Sequence, residues 1–279
     1  MGFAPLLHEG AGIRILCMEC KRKKGEAVEE KLAVVILAAG KGTRMQSDLA
    51  KVLHPISGIP MIVRVVETVK NLNPESCVVV VGHQASEVQA VLAGFDLSFA
   101  LQEVQLGTGH ALHSGLGKIP THCSQVLVLC GDTPLVRKET LWRLYQRQKD
   151  TGAALTVLAV HLADPKGYGR ILSDSSGRVV GIVEEKDASA EERRIGLVNT
   201  GFYCFDRKFL DEKICEIRPD NAQGEYYLTD LVAAAVMDGR GVECICAEFP
   251  EEVMGINAPE NLEEANRIVA DKGYPLQFP

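Results

Sequence analysis

A chain of 279 residues, 46% of them hydrophobic, can bury a substantial core as one large domain or as a domain with a subdomain. A net charge of −7 excludes a sequence-independent nucleic-acid binder, which needs a broad basic face, so any phosphate recognition must be local. No apolar run reaches about 18 residues and no apolar stretch follows a basic N-terminus, so neither a membrane partner nor a secretory leader is expected, and the chain reads as cytoplasmic.

Residues 1–31 lack apolar periodicity and carry the run Lys21-Arg22-Lys23-Lys24, so they read as a poorly ordered extension. Cys17 and Cys20 form a single C-x-x-C, half of a zinc site, and read as inert. The nine cysteines are an odd number. Cys77, Cys130, Cys204, Cys244 and Cys246 lie in apolar runs, as small buried residues do in a reducing compartment, and no disulfide is expected.

Ala33-Val34-Val35-Ile36-Leu37 reads as a fully buried strand. Directly behind it stands Leu37-Ala38-Ala39-Gly40-Lys41-Gly42-Thr43-Arg44-Met45, with Lys51 shortly after. Gly40 and Gly42 lack Cβ, so backbone N–H groups there can close on a phosphate or a nucleobase. Arg44 and Lys51 add a fork-shaped guanidinium and a point-charge ammonium, which with exposed amides suit a polyphosphate. A plain tight turn with solvated cations is the bland alternative, and the combined pattern outweighs it. Met45 stands where a nicotinamide-binding fingerprint needs its third glycine, and no Gly-Lys-Ser/Thr follows to make a P-loop.

A helical segment begins at Met61, Val78–Val81 is a buried strand, and Ser86–Leu92 reads as a capped amphipathic helix. Another strand covers Leu97–Leu101. Gly107-Thr108-Gly109-His110-Ala111 opens a helix whose N-terminal amides can face a ligand. Val126–Leu129 is a third buried strand ending at Cys130-Gly131-Asp132, where a carboxylate would face the ligand crevice of an open α/β sheet. A helix cap is the bland reading of Asp132. His54, His83, His110 and His113 make no metal spacing and are assigned no chemistry.

Strands alternating with helices predict an α/β fold, Rossmann-like and doubly wound, with a mostly parallel sheet. After Asp150 longer alternating strands, Ala154–Leu162, Arg178–Glu184 and Val198–Phe205, predict a mixed-sheet lobe covering one edge of the nucleotide half. Tyr226–Met237 reads as helix-rich, and Pro259–Ala270 closes the fold. No hexapeptide repeat occurs, so no left-handed β-helix is expected.

Further motifs are Gln102 with Gln105-Leu106-Gly107-Thr108-Gly109, Gly167-Tyr168-Gly169-Arg170, Val183-Glu184 with Lys186-Asp187-Ala188, Asn199-Thr200-Gly201, Ala222-Gln223-Gly224-Glu225-Tyr226-Tyr227-Leu228-Thr229-Asp230 and Gly255-Ile256-Asn257. In this order and spacing, with the glycine-rich loop and Gly131-Asp132, they resemble the sugar-1-phosphate nucleotidylyltransferase family. Within it the likeness is to the uridylyltransferase domain of bifunctional N-acetylglucosamine-1-phosphate uridylyltransferase/glucosamine-1-phosphate acetyltransferase. The matching pieces span Leu32 to Ala270. The resemblance implies a nucleotidyltransferase domain over 32–272, with a nucleotide half at about 32–150, a sugar-binding half at about 151–272 and a tail at 273–279.

It also implies Mg2+-dependent transfer from UTP to N-acetylglucosamine-1-phosphate, giving pyrophosphate and UDP-N-acetylglucosamine, a precursor of peptidoglycan and other cell-envelope polymers. Arg44, Lys51 and Asp132 would carry the catalysis, Asp132 and Asn257 the metal. Leu37, Ala38, Ala39, Gly40, Gly42, Gln102, Gly107 and Thr108 would bind the nucleotide, and Gly169, Glu184 and Asn199 the sugar. Another sugar-1-phosphate such as glucose-1-phosphate, and a non-catalytic sugar-nucleotide sensor, stay open, as does a homo-oligomer. Acetyl transfer is not expected. Two departures stand out: Ala50 where the family usually has proline, predicting a more mobile loop, and Cys130 where it often has an aromatic residue.

Overall fold

The computed structural model describes residues 31–274; the extension over 1–30, with Cys17 and Cys20, and the tail at 275–279 lie outside the described residues. In chain order the elements are β1 (Lys31–Ala38), a small hairpin of β2 (Pro55–Ile56) and β3 (Ile59–Pro60), α1 (Met61–Lys70), β4 (Ser76–Val81), α2 (Ala85–Val91) and β5 (Ser98–Leu101). There follow α3 (Thr108–Leu116), β6 (Cys123–Cys130), α4 (Lys138–Thr151), β7 (Leu155–His161), β8 (Arg170–Ser173) and β9 (Val179–Val183). The chain then forms β10 (Leu197–Asp206), α5 (Arg207–Lys213), α6 (Asp230–Met237), β11 (Val242–Cys246) and α7 (Pro259–Lys272).

The β-branched run of β1 is apolar on both sides because both of its faces are covered. Val34 and Ile36 enter one core, packed by α1, α2 and α4, while Ala33 and Val35 enter the other, packed by α3, α5 and α6. Each fully buried Val or Ile contributes about 1.5–3 kcal/mol. The main path of the sheet runs β11-β7-β10-β6-β1-β4-β5. The pairs β1–β4, β1–β6, β4–β5 and β7–β11 are parallel, and β10 runs antiparallel to both β6 and β7. The chain leaves β1 toward β4 on one side and returns later to β6 on the other. That reversal makes the carboxyl ends of β1 and β6 a topological switch point, the place where open α/β sheets bind ligands.

Most expected elements are found, and the differences have local causes. The mixed-sheet portion covers one edge of the parallel strands, as expected, and does so by continuing their sheet: β10 pairs along β6, while β8 and β9 form a hairpin beside β10. The helix expected to be capped at Ser86 begins at Ala85, behind Gln84, without a side-chain cap. Residues 226–229 precede α6 rather than belonging to it. Cys246 is exposed, since β11 is the outer strand of the sheet, whereas Cys77 and Cys204 are buried; the seven described cysteines are free.

A third core seats α7. Ala265, Ile268 and Val269 pack with Met45, Ile56, Met61, Leu135 and Ile256. The packing brings the C-terminal helix, with Asn257 just before it, against the loop that follows β1. Among the described residues no helix is long and apolar enough to cross a membrane, and no left-handed β-helix is present.

Candidate active site

A cavity of about 390 Å3 opens at the switch point. The loop after β1 supplies Leu37, Ala38, Ala39, Gly40 and Gly42; Lys51, Gln102, Gly107, Thr108 and Asp132 complete the part foreseen from sequence. A second cavity of about 190 Å3, lined by Gly169, Glu184 and Asn199, shares Leu37, Thr108 and Cys130 with the first. Two glycines have clear structural requirements. Gly42 has φ +64°, and a Cβ there would lie 2.5 Å from Cβ of Lys51, so the lysine stem lies directly on the bare backbone. Gly107, at φ +111°, caps α3, and a Cβ would meet the backbone oxygen of Tyr226 at 2.7 Å.

The charged residues converge from three parts of the chain. Lys51 Nζ donates to Asp132 Oδ2 and, at 3.1 Å, to Asn257 Oδ1, which also accepts from Arg44 Nη2 at 2.9 Å. Lys51 and Asp132 are largely buried, and Arg44 is exposed. Asp132 is not a helix cap, since α4 starts only at Lys138 behind Arg137. The Asp132 carboxylate and the Asn257 carboxamide oxygen both address one cationic centre, the Lys51 ammonium. Two hard oxygens aimed at a single positive charge fit Mg2+, which takes one or two protein oxygens and completes its shell with phosphates and water. Among the described residues no group of three or more His, Cys, Asp or Glu forms a conventional metal cluster.

Gln102 is buried, and its carboxamide is oriented: Nε2 donates to the Gly107 carbonyl at 3.1 Å and lies 2.9 Å from Nδ1 of His110. With Nδ1 accepting, the imidazole proton sits on Nε2. His110, assigned no chemistry from sequence, therefore fixes the orientation of the Gln102 carboxamide; its signal was the offset of eight residues from Gln102 across a loop and the first turn of a helix. Asn199 is similarly constrained, donating to the Tyr203 hydroxyl at 2.7 Å and accepting from the Gly201 amide at 3.1 Å. One N–H of its side chain remains for a ligand. Tyr203, missed in the sequence, lines the second cavity, as does Tyr168.

Burial raises the pKa of Glu184 from its ordinary value, opposed by a hydrogen bond from the Thr229 hydroxyl at 3.3 Å. Nearby, burial and then the charge of Asp187 raise Asp230 from 3.8 to about 6. A carboxylate whose folded pKa exceeds its unfolded one contributes stability that is complete below the unfolded value. That stability is lost as pH rises through the folded value. Asp230→Asn is therefore expected to raise Tm at pH 7.5 relative to wild type and to leave it nearly unchanged at pH 3.5; thermal melts at the two pH values check this, and equal shifts at both would contradict it.

Comparison with known proteins agrees with this architecture. Residues 34–185 match the family model for the MobA-like NTP transferase domain. The chain is 49% identical over 244 residues to the Bifunctional protein GlmU of Geobacter metallireducens, covering 86% of this chain and 51% of that protein. It is 43% identical over 238 residues to a protein of the same name from Desulfotalea psychrophila, covering 85% and 70%. The chain spans about half the length of most of the curated relatives it matches. A solved nucleotidyl transferase from Methanothermobacter thermautotroptrophicus aligns with a TM-score of 0.59 at 21% identity, covering 85% of this chain and 96% of that one, and so shares the fold. The chain belongs to the MobA-like NTP transferase family, as a nucleotidyltransferase related to the GlmU proteins.

Proposed function

We propose that the chain is a cytoplasmic, Mg2+-dependent uridylyltransferase that converts UTP and N-acetylglucosamine-1-phosphate to UDP-N-acetylglucosamine and pyrophosphate. The observation that carries this reading is the pair of adjoining cavities sharing Leu37, Thr108 and Cys130, with Lys51 and Asp132 lining the larger one. Two substrates that must react with each other need adjoining sites, and two anions need positive charge between them. In this reading residues of about 32–150 take the nucleotide and those of about 151–272 the sugar.

A sugar-phosphate oxygen attacks the α-phosphorus of UTP; the new P–O bond forms as the bond to the α,β-bridging oxygen breaks, and pyrophosphate leaves. The attacking phosphate is already ionised, so the barrier lies in orienting two mutually repelling anions and stabilising the developing charge. Lys51 is assigned to the α-phosphate and the sugar phosphate, and Arg44 to the departing β- and γ-phosphates. Gln102, whose two N–H groups are taken by Gly107 and His110, presents its Oε1 acceptor to the uracil edge, and the amides around Gly107 and Thr108 supply the donors. Gly169 allows close approach of the sugar, Glu184 accepts from its hydroxyls, and Asn199 reads a polar substituent. Mg2+, when held by Asp132 and Asn257, supplies charge neutralisation at the phosphates.

A pyrophosphate-release panel of nucleoside triphosphates against sugar-1-phosphates tests the reading, with UTP and N-acetylglucosamine-1-phosphate expected to give the highest kcat/KM. Preference for CTP, GTP or dTTP would overturn the nucleotide assignment, and preference for glucose-1-phosphate the sugar assignment. Binding of the UDP-sugar with no turnover of any pair would identify a sensor instead of an enzyme.

A further inference from the structure

Gln84 stands between β4 and α2 with φ 51° and ψ 46°, a left-handed conformation that residues bearing a side chain rarely adopt. Glycine would take this backbone without strain, so the presence of glutamine calls for a role of its side chain. Both ends of that side chain are engaged across the fold. Oε1 accepts from the Ala50 amide at 2.6 Å, and Nε2 donates to the Asp48 carbonyl at 2.8 Å. The neighbouring His83 amide donates to the Ala39 carbonyl at 3.2 Å. One two-residue turn thus fastens the glycine-rich loop on one side and the segment leading into Lys51 on the other.

Ala50 is buried in the main core, so its amide needs a partner within the protein, and the Gln84 side chain is that partner. Residues 46–49 are exposed, and the tight turn carrying Lys51 starts from Ala50, whose carbonyl accepts from the Leu53 amide at 2.9 Å. Fixing Ala50 therefore fixes the origin of the Lys51 side chain. We propose that Gln84 is a positioning residue for Lys51, clamping the backbone at Asp48 and Ala50 so that the ammonium is held in the larger cavity, where the phosphates meet. This rests on the reading of Lys51 as a phosphate-binding cation.

Ala50 has φ −52°, within the range of a proline ring. A proline there would restrain the same backbone without the amide that Gln84 binds, which gives the clamp a specific rescue. Gln84→Ala removes both hydrogen bonds, and the expected result is a kcat for pyrophosphate release lowered about 10-fold, with a smaller change in KM for UTP. Amide exchange at Ala50, followed by NMR in the ligand-free protein, should accelerate by about 10-fold or more. Adding Ala50→Pro to Gln84→Ala should restore kcat to within about threefold of wild type, whereas Ala50→Pro alone only strips Gln84 of one partner.

Wild-type exchange at Ala50 in Gln84→Ala would overturn the clamp itself. Faster exchange with wild-type kcat, or a kcat loss that the proline does not rescue, would overturn its role in placing Lys51. Absence of turnover in the wild-type chain would refute the functional reading instead, with exchange at Ala50 still deciding whether Gln84 holds the loop.

Discussion

Lys51→Met is expected to lower kcat for pyrophosphate release by about 10³-fold, the upper end of what removal of one preorganised electrostatic contact costs. Methionine keeps an unbranched stem against Gly42, so the packing of the loop survives while the ammonium goes. In the proposed reaction two phosphates share the Lys51 charge in the transition state, so kcat should fall more than the affinity for UTP. Asp132 is left without its ion-pair partner in a largely buried position, and Tm should fall by a few degrees at neutral pH. Steady-state kinetics beside a thermal melt separate the two consequences. A lower Tm with wild-type kcat would make Lys51 a structural partner of Asp132 and nothing more.

Asp132→Asn is the second large effect. It removes a charge with little change in volume, and kcat is expected to fall by about 10²-fold or more. The Mg2+ concentration for half-maximal activity should rise, because a carboxamide oxygen is a weaker ligand for a hard cation than a carboxylate. Folding should survive, since Asn retains an oxygen that can accept from Lys51. Titrating Mg2+ against kcat for wild type and variant decides the matter: unchanged kcat with unchanged metal dependence would remove Asp132 from the mechanism.

The parallel half of the sheet was legible in sequence because β1, β4 and β6 are buried on both faces and so read as unbroken β-branched runs. The direction of β10 was not, since alternation along a strand carries no information on which neighbour it joins or which way it points. The missing cap at Ser86 was misleading for a related reason: the turn before α2 is set by the contact of Gln84 with Asp48 and Ala50, more than thirty residues earlier. The glycine-rich loop was legible through local spacing alone, and it lines the larger cavity. The junction of Lys51 with Asp132 and Asn257 spans separations of 81 and 206 residues and depends on α7 packing over Met45 and Ile56. Only the family resemblance pointed to Asn257. His110 escaped because its partner is a carboxamide rather than a carboxylate or a metal.

In the proposed reaction the two cavities bring UTP and a sugar-1-phosphate together for direct transfer. Phosphorus NMR of a single mixture of the protein, UTP, N-acetylglucosamine-1-phosphate and Mg2+ tests it most directly. The γ- and β-phosphate signals of UTP and the sugar-phosphate monoester signal are expected to decay together, replaced in equal amounts by pyrophosphate and the paired diphosphate resonances of a UDP-sugar. Release of inorganic phosphate with UDP, the sugar phosphate remaining intact, would contradict it.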